Sequence, residues 1–585
     1  MLAANAHSID TILAVDFGSA TTRALLFDVV ENVYRFVGYG EAPTTVDAPY
    51  RDASEGMRHA LDMLQESTGR RVLDDSATLI MPATTGGRGA DAFVATSSAG
   101  PAVRGLLVGL LPDVSLLSAR RLASSHYISV LDSISLGDLR GEDEQIDAVI
   151  AARPELLVIA GGSDGGAADA LLKLVETISL ACHLLPPGTS TKALFAGNAA
   201  VAPRLTELLG RVAQVSTAAN VQPELGREQL GPARAELGKV YEQIRLEQIG
   251  GFAQLAQWSG GRILPTAQAE GTFVRFLSQL PAWPRGALGV NVGAASTSVA
   301  AAWRGELRLN VQTRLGLGVN AAKTLESTPV EQISRWVPEP VSDEQMRDFI
   351  YNKSAHPHSV PDEPQDLWLE LALARHVLRA ALGVARADWP ETAPGARPEL
   401  LPWFSLIMGG GAVLGRAPKP GLAALVLLDA LQPVGLTRLM VDPYHLAPTL
   451  GAAAAQHPIM VAQVYDSLAF LDLGTAVSLI GRGRLGEVAC SVKLVEDGAP
   501  ERQVEVPFGS LAVIPLPPGH IAKLTVRPRP GFNAGFGTGW GRALRVRGGL
   551  LGIVIDARGR PLLLPRPPEQ RQELMKQWFW KMGGV

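Results

Sequence analysis

The stretch ILAVDFGSATTRALLF, residues 12–27, decides the fold. An apolar run, Ile12 to Val15, ends at Asp16. The small-residue turn Phe17-Gly18-Ser19-Ala20-Thr21-Thr22 follows, and a second apolar run covers Ala24 to Phe27. Two strand-like runs around a short glycine-bearing turn predict a β-hairpin that opens a domain, and a third run, Tyr34 to Tyr39, extends it. Gly18 lets the backbone approach a bound group closely. Successive N–H groups in such a turn form an anion-binding concavity, and Ser19, Thr21 and Thr22 add hydroxyl donors. Asp16, at the strand's end, suits a hydrated Mg²⁺ beside phosphates, because Mg²⁺ takes oxygen ligands and keeps several waters. Alone, the pentapeptide DFGSA also suits an ordinary polar hairpin.

Outward from the hairpin, 585 residues exceed one core and predict several domains. Apolar content of 47% and charged content of 19% fit a folded globular chain. A net charge of -4 argues against a general nucleic-acid or anionic-membrane surface. Two cysteines, Cys182 and Cys490, exclude a disulfide framework and suit a reducing cytoplasm, the expected location. The first ten residues do not read as a secretory signal, and no apolar run reaches a membrane span.

From residue 77 to 280 strand-like and helix-like segments alternate, which predicts a parallel or mixed α/β sheet. Ala77 to Met81 reads as a strand, and Leu156 to Ala160 as a buried parallel strand. The latter runs into the turn Gly161-Gly162-Ser163-Asp164-Gly165-Gly166, at the carboxyl end of a strand, where open sheets bind ligands. Asp164 there either faces a ligand bound at that strand end or caps the helix that follows. Thr191 to Asn198 repeats the strand-to-turn pattern, and Leu264-Pro265-Thr266 leads into another helix. Near residue 287 the opening pattern returns: VNVGAASTSVAAAW echoes VDFGSATTRALLF. Such a repeat predicts duplicated lobes facing across a cleft. Gly293, Ala294, Ser296 and Thr297 then form a second phosphate loop, with Asn291 where the first has Asp16. Phe404 to Met408 reads as a strand ending in Gly409-Gly410-Gly411, where glycines admit a close ligand.

These segments together resemble the actin-like ATPase superfamily and, within it, the glutamate mutase L (MutL-type) family. The marks are Asp16 to Arg23, the GGSDGG turn, Ala196-Gly197-Asn198, Met408 to Gly415 and the Gly-Ala-rich Leu450 to Ala454, over roughly residues 10 to 457. The resemblance implies duplicated actin-like (ribonuclease H-like) α/β lobes around a nucleotide cleft, with ATP or ADP and Mg²⁺ as cofactors. It implies an accessory role, as chaperone or reactivase, for an adenosylcobalamin-dependent mutase client. No Asp-x-His-x-x-Gly motif occurs, so cobalamin itself is not expected to bind. Asp16, Asp164 and Asn291 are the catalytic candidates, with Asp16 holding Mg²⁺ through water. Gly18 to Thr22, Gly293, Ala294, Ser296, Thr297 and Gly409 to Gly411 are the nucleotide-binding candidates.

The chain departs from the family where the second loop usually begins and closes with Asp: it has Asn291 and Ser298. Asparagine carries no charge and cannot take a proton. Loss of a catalytic base costs about 10²–10⁴-fold in rate, so weak or lost hydrolysis is expected, and Asn291→Asp is expected to raise turnover. The competing reading is an actin-like scaffold with a degenerate cleft; a small-molecule kinase fits less well for want of a base.

The expected division is 1–286 for the first lobe, 287–457 for the second with a helical insertion near 326–400, and 458–585 for a β-rich C-terminal domain with a terminal helix. Arginines 527, 529, 542, 545, 547, 558 and 560 read as scattered surface charge, with a face for an acidic partner as the sharper alternative. The tail aromatics Trp578, Phe579 and Trp580 are expected to pack on that domain. Self-association is a further expectation. His356 and His358 lack an evident third metal ligand.

Overall fold

Ile12–Phe17 and Thr21–Val30 form the expected antiparallel hairpin, with Asp16 opposite Arg23, and Val33–Pro43 adds the third strand. Ala92–Ser97 lies parallel to Ile12–Phe17, and Leu264–Pro265 parallel to Ala92–Ser97. The sheet order, by position in the lobe, is therefore third, second, first, fourth, fifth. The computed structural model describes residues 9–166, 168–390, 399–535 and 542–584.

The second half repeats this order. Ala287–Val292 and Thr297–Trp303 form a hairpin with Asn291 opposite Ser298, flanked by Glu306–Gln312 on one side and Leu406–Gly410 and Gly435–Val441 on the other. Two sheets of one order and one sense are the duplicated lobes that the sequence repeat predicts. Between the fourth and fifth strands of the first lobe sits a separate, fully parallel sheet: Ile128–Ser135, Val103–Gly109, Leu156–Ala160, Lys192–Phe195 and Gln214–Thr217. Leu156–Ala160 is buried throughout, as a strand covered on both faces requires. Ala77–Met81, read as a strand, shows among the described residues only the isolated bridge Leu73–Leu79.

Two helices lie at the junction of the lobes, Thr266–Leu277 and Leu446–Ala453. Gly451 permits their close approach: a Cβ there would lie 1.7 Å from the Ala269 carbonyl oxygen. The small residues Gly451, Ala452 and Ala453 close the helix Leu446–Ala453 and do not open it.

The boundary near 457 is crossed by the sheet. Leu471–Ser478 pairs antiparallel with Gly435–Val441, and Ile553–Asp556 and Leu511–Ile514 continue from it, so three C-terminal strands extend the second lobe's sheet. A further antiparallel sheet, Arg502–Pro507, Val488–Glu496, Ile521–Pro528 and Arg542–Arg547, completes the β-rich region. Arg558 and Arg560 are not surface charge. Both are buried, paired with Asp556 at 2.8 and 2.6 Å, and Arg558 reaches Asp429, which also binds Arg375 at 2.7 Å. The terminal helix Pro568–Lys581 lies on the second lobe rather than on the β-rich sheet alone: Phe579 meets Trp368 at 4.5 Å between ring centroids. Trp578 and Phe579 are buried; Trp580 is exposed. The side chain of Arg542 lies outside the described residues. Among the described residues, no helix is long and apolar enough to cross a membrane.

Candidate functional site

A cleft opens between the lobes. The two hairpin turns face into it and close in the same way: the Gly18 N–H donates to the Thr21 carbonyl at 3.0 Å, and the Gly293 N–H to the Ser296 carbonyl at 2.9 Å. Gly18, Ser19, Ala20 and Thr21 line it from one side; Asn291, Gly293, Ala294 and Ser296 from the other. Gly411 completes the rim with a φ of +96°, and a Cβ there would stand 2.1 Å from the Val292 carbonyl oxygen. Only glycine satisfies both that backbone and that approach.

Other sequence candidates fall outside the lining. Thr22 is buried and its hydroxyl meets that of Thr44 at 3.0 Å; Thr297 is buried and donates to the Leu315 carbonyl. Strand side chains alternate, so Thr21 and Arg23 face the cleft while Thr22 does not, and Ser296 and Ser298 face it while Thr297 does not. Gly409 and Gly410 sit behind the rim, where a Cβ would meet the side chains of Leu414 and Asn291 respectively. Asp164 is exposed on the separate parallel sheet; its Oδ1 accepts from the Asn220 side chain at 2.9 Å and from the Ala199 N–H at 3.3 Å. It tethers neighbouring turns, and the helix it was expected to cap starts later, at Asp169.

Asp16 lies at the cleft floor, fully buried. Its Oδ1 accepts from the hydroxyls of Thr96 at 2.6 Å and Thr266 at 2.8 Å. Its Oδ2 has no hydrogen-bond partner, though His445 Nε2 stands 3.3 Å away at ion-pair distance. Burial opposes ionisation of Asp16, but His445 and then the two threonine hydroxyls outweigh it and hold the carboxyl below its usual range. Burial likewise opposes charge on His445, and the Asp16 carboxylate overcomes it and raises the imidazole. Asp442 accepts from the N–H groups of Leu446 and Ala447, which starts the helix behind His445.

A sequence model described as MutL protein matches residues 12–468. The chain belongs to the MutL protein family. Protein MutL of Clostridium tetanomorphum is 21% identical over 386 residues, covering 63% of this chain and 77% of that protein. Among solved structures, a ROK family glucokinase from Streptomyces griseus in complex with glucose and AMPPNP overlaps 76% of this chain and 98% of its own, at 10% identity and a TM-score of 0.28. A nucleotide-free diol dehydratase-reactivating factor overlaps 77% and 100%, at 12% identity and a TM-score of 0.29.

In this MutL family member, sequence reading missed four residues around the hairpins: Thr96, Thr266, Glu270 and His445. Glu270 is 2% exposed and accepts from the Ser298 hydroxyl at 3.0 Å and the Asn291 amide at 3.3 Å. Burial lifts its carboxyl to about 7, against the lowering pull of His445, Ser298 and Asn291. One signal was available: a lone acid on a helix face otherwise built from Ala267, Phe273, Val274 and Leu277. The helical insertion also reaches the cleft, through Lys353 and Glu370, paired at 2.7 Å. Asp16 Oδ2 is buried and lacks a hydrogen-bond partner, but His445 Nε2 stands 3.3 Å from it, so a Mg²⁺-bound water at this carboxylate would share it with that imidazole. Among the described residues no cluster of three or more His, Cys, Asp or Glu side chains offers direct metal ligation.

Proposed function

We propose that this chain binds ATP or ADP with Mg²⁺ in the inter-lobe cleft and serves, as a reactivase-type accessory protein, an adenosylcobalamin-dependent mutase. One observation carries the nucleotide reading: two identically closed glycine turns and the Gly411 rim meet around one buried carboxylate. The turn N–H groups and the hydroxyls of Ser19, Thr21 and Ser296 would take the phosphates. Gly411 and Val413 would take the adenosine side. Asp16 would hold Mg²⁺ through its waters, and the ion would neutralise phosphate charge. Asn291 cannot accept a proton, so hydrolysis is slow or lost. Family membership supports the accessory role. Nucleotide state would shift the closure of the lobes, which Arg416 and Glu41 bridge by an ion pair. The client then senses that shift only through its differential affinity for the two states.

Calorimetry with Mg-ATP and Mg-ADP tests the reading. Wild type is expected to bind, and Asp16→Asn to lose at least about tenfold in affinity, since a charged hydrogen-bonding partner is removed. Absence of binding by wild type to both nucleotides overturns it. For the client, recovery of an inactivated mutase should require both this chain and nucleotide. The uncharged Asn291 favours a second reading, a scaffold whose cleft is only structural; the same calorimetry separates the two.

A further inference from the structure

The two hairpins treat their equivalent strand positions in opposite ways. On the first, the strand carries the acid, Asp16, and the facing helix start brings a cation, His445. On the second, the strand residues Asn291 and Ser298 are neutral, and both donate to one carboxylate oxygen, Oε2 of Glu270. Glu270 comes from the helix Thr266–Leu277, whose Thr266, one turn earlier, donates to Asp16. Residues four apart share a helix face, so one face of this helix touches the floor of both hairpins.

A buried carboxylate with only neutral donors in contact is costly unless it serves a purpose. We infer that Glu270 is the carboxylate of the second hairpin in this chain, a positioning residue that holds the Asn291 amide with its nitrogen inward and its oxygen available to the cleft. The assignment rests on the nucleotide reading above. Glu270 does not line the cleft, so it acts through Asn291 and Ser298. It also changes the expectation for Asn291→Asp. That substitution sets a second carboxylate about as close to Glu270 as the present amide, 3.3 Å, and like charges at that distance cannot both ionise comfortably.

The test compares wild type, Glu270→Gln, Asn291→Asp and the double variant for Mg-ATP affinity and turnover, with a melting temperature for each to establish folding. Each single variant is expected to bind about tenfold more weakly than wild type, and Asn291→Asp alone not to raise turnover. The double variant, which moves the acid from helix to strand, is expected to return to within about threefold of wild-type affinity. A residue needed only for packing would not be rescued by relocating its charge to another element. Wild-type affinity in Glu270→Gln, or a double variant no better than the worse single, overturns the inference and leaves the nucleotide reading intact. Wild type without nucleotide binding removes both.

Discussion

Asp16 and His445 form a buried pair in which each holds the other charged, the Asp16 carboxyl shifted down and the His445 imidazole shifted up. Asp16 has a depressed folded pKa, so its contribution is present above the usual carboxyl range and is lost as pH falls through the depressed value. His445 has a raised one, so its contribution is present below the usual imidazole pKa and is lost as pH rises through the raised value. Replacing His445 by Ala strands a buried carboxylate and should cost about 3–5 kcal/mol, read from urea unfolding at pH 6. Glu270 runs the other way. Its folded carboxyl titrates near 7, so between its ordinary 4.5 and 7 the unfolded chain releases a proton that the folded chain keeps. Stability should therefore fall through that window by on the order of 3 kcal/mol and level off above it. Glu270→Gln should flatten this dependence and melt higher than wild type at pH 8; an unchanged pH profile would contradict the assignment.

At the scale of elements, the hairpins were legible because their signal is local. An apolar run, a glycine turn and a second apolar run specify a hairpin wherever it sits, and Ile12–Phe17 and Ala287–Val292 both form as read. Which turn residues face the cleft was not legible from composition: strand alternation turns Thr22 and Thr297 inward and brings Ser298 out. Asp164 shows the same limit, since a glycine-rich strand end looks alike on either of two sheets in the first lobe. The junction helices make a sharper claim. Gly451 faces the Ala269 carbonyl so closely that Gly451→Ala must push the helices apart, at about 1–3 kcal/mol and with a lower melting temperature. If that variant melts like wild type, the close approach is not a constraint.

For the whole molecule, the question is whether the β-rich region stands alone. Its strands Leu471–Ser478, Ile553–Asp556 and Leu511–Ile514 continue the second lobe's sheet, and its Arg558 pairs with Asp429 of that lobe. Truncation after residue 468, where the family match ends, would bare the edge of Gly435–Val441 and leave Arg375 and Asp429 without Arg558. The truncated chain should therefore aggregate on expression, where an independent appendage would leave a soluble remainder. Within the full chain, Asp556→Ala leaves two buried guanidinium groups without their shared carboxylate and should cost at least about 3–5 kcal/mol, measurable by denaturant unfolding.

By itself the sequence determined the duplicated hairpins, the parallel strands and the kinship, because each is written in short-range patterns of apolar runs and glycine turns. Tertiary structure alone decided that Thr266 and Glu270 bridge the two floors, that His445 meets Asp16, and that the C-terminal strands belong to the second sheet. Those contacts join residues up to hundreds of positions apart, and the energies that select them, burial of charge and closure of a sheet edge, exist only once the chain has folded.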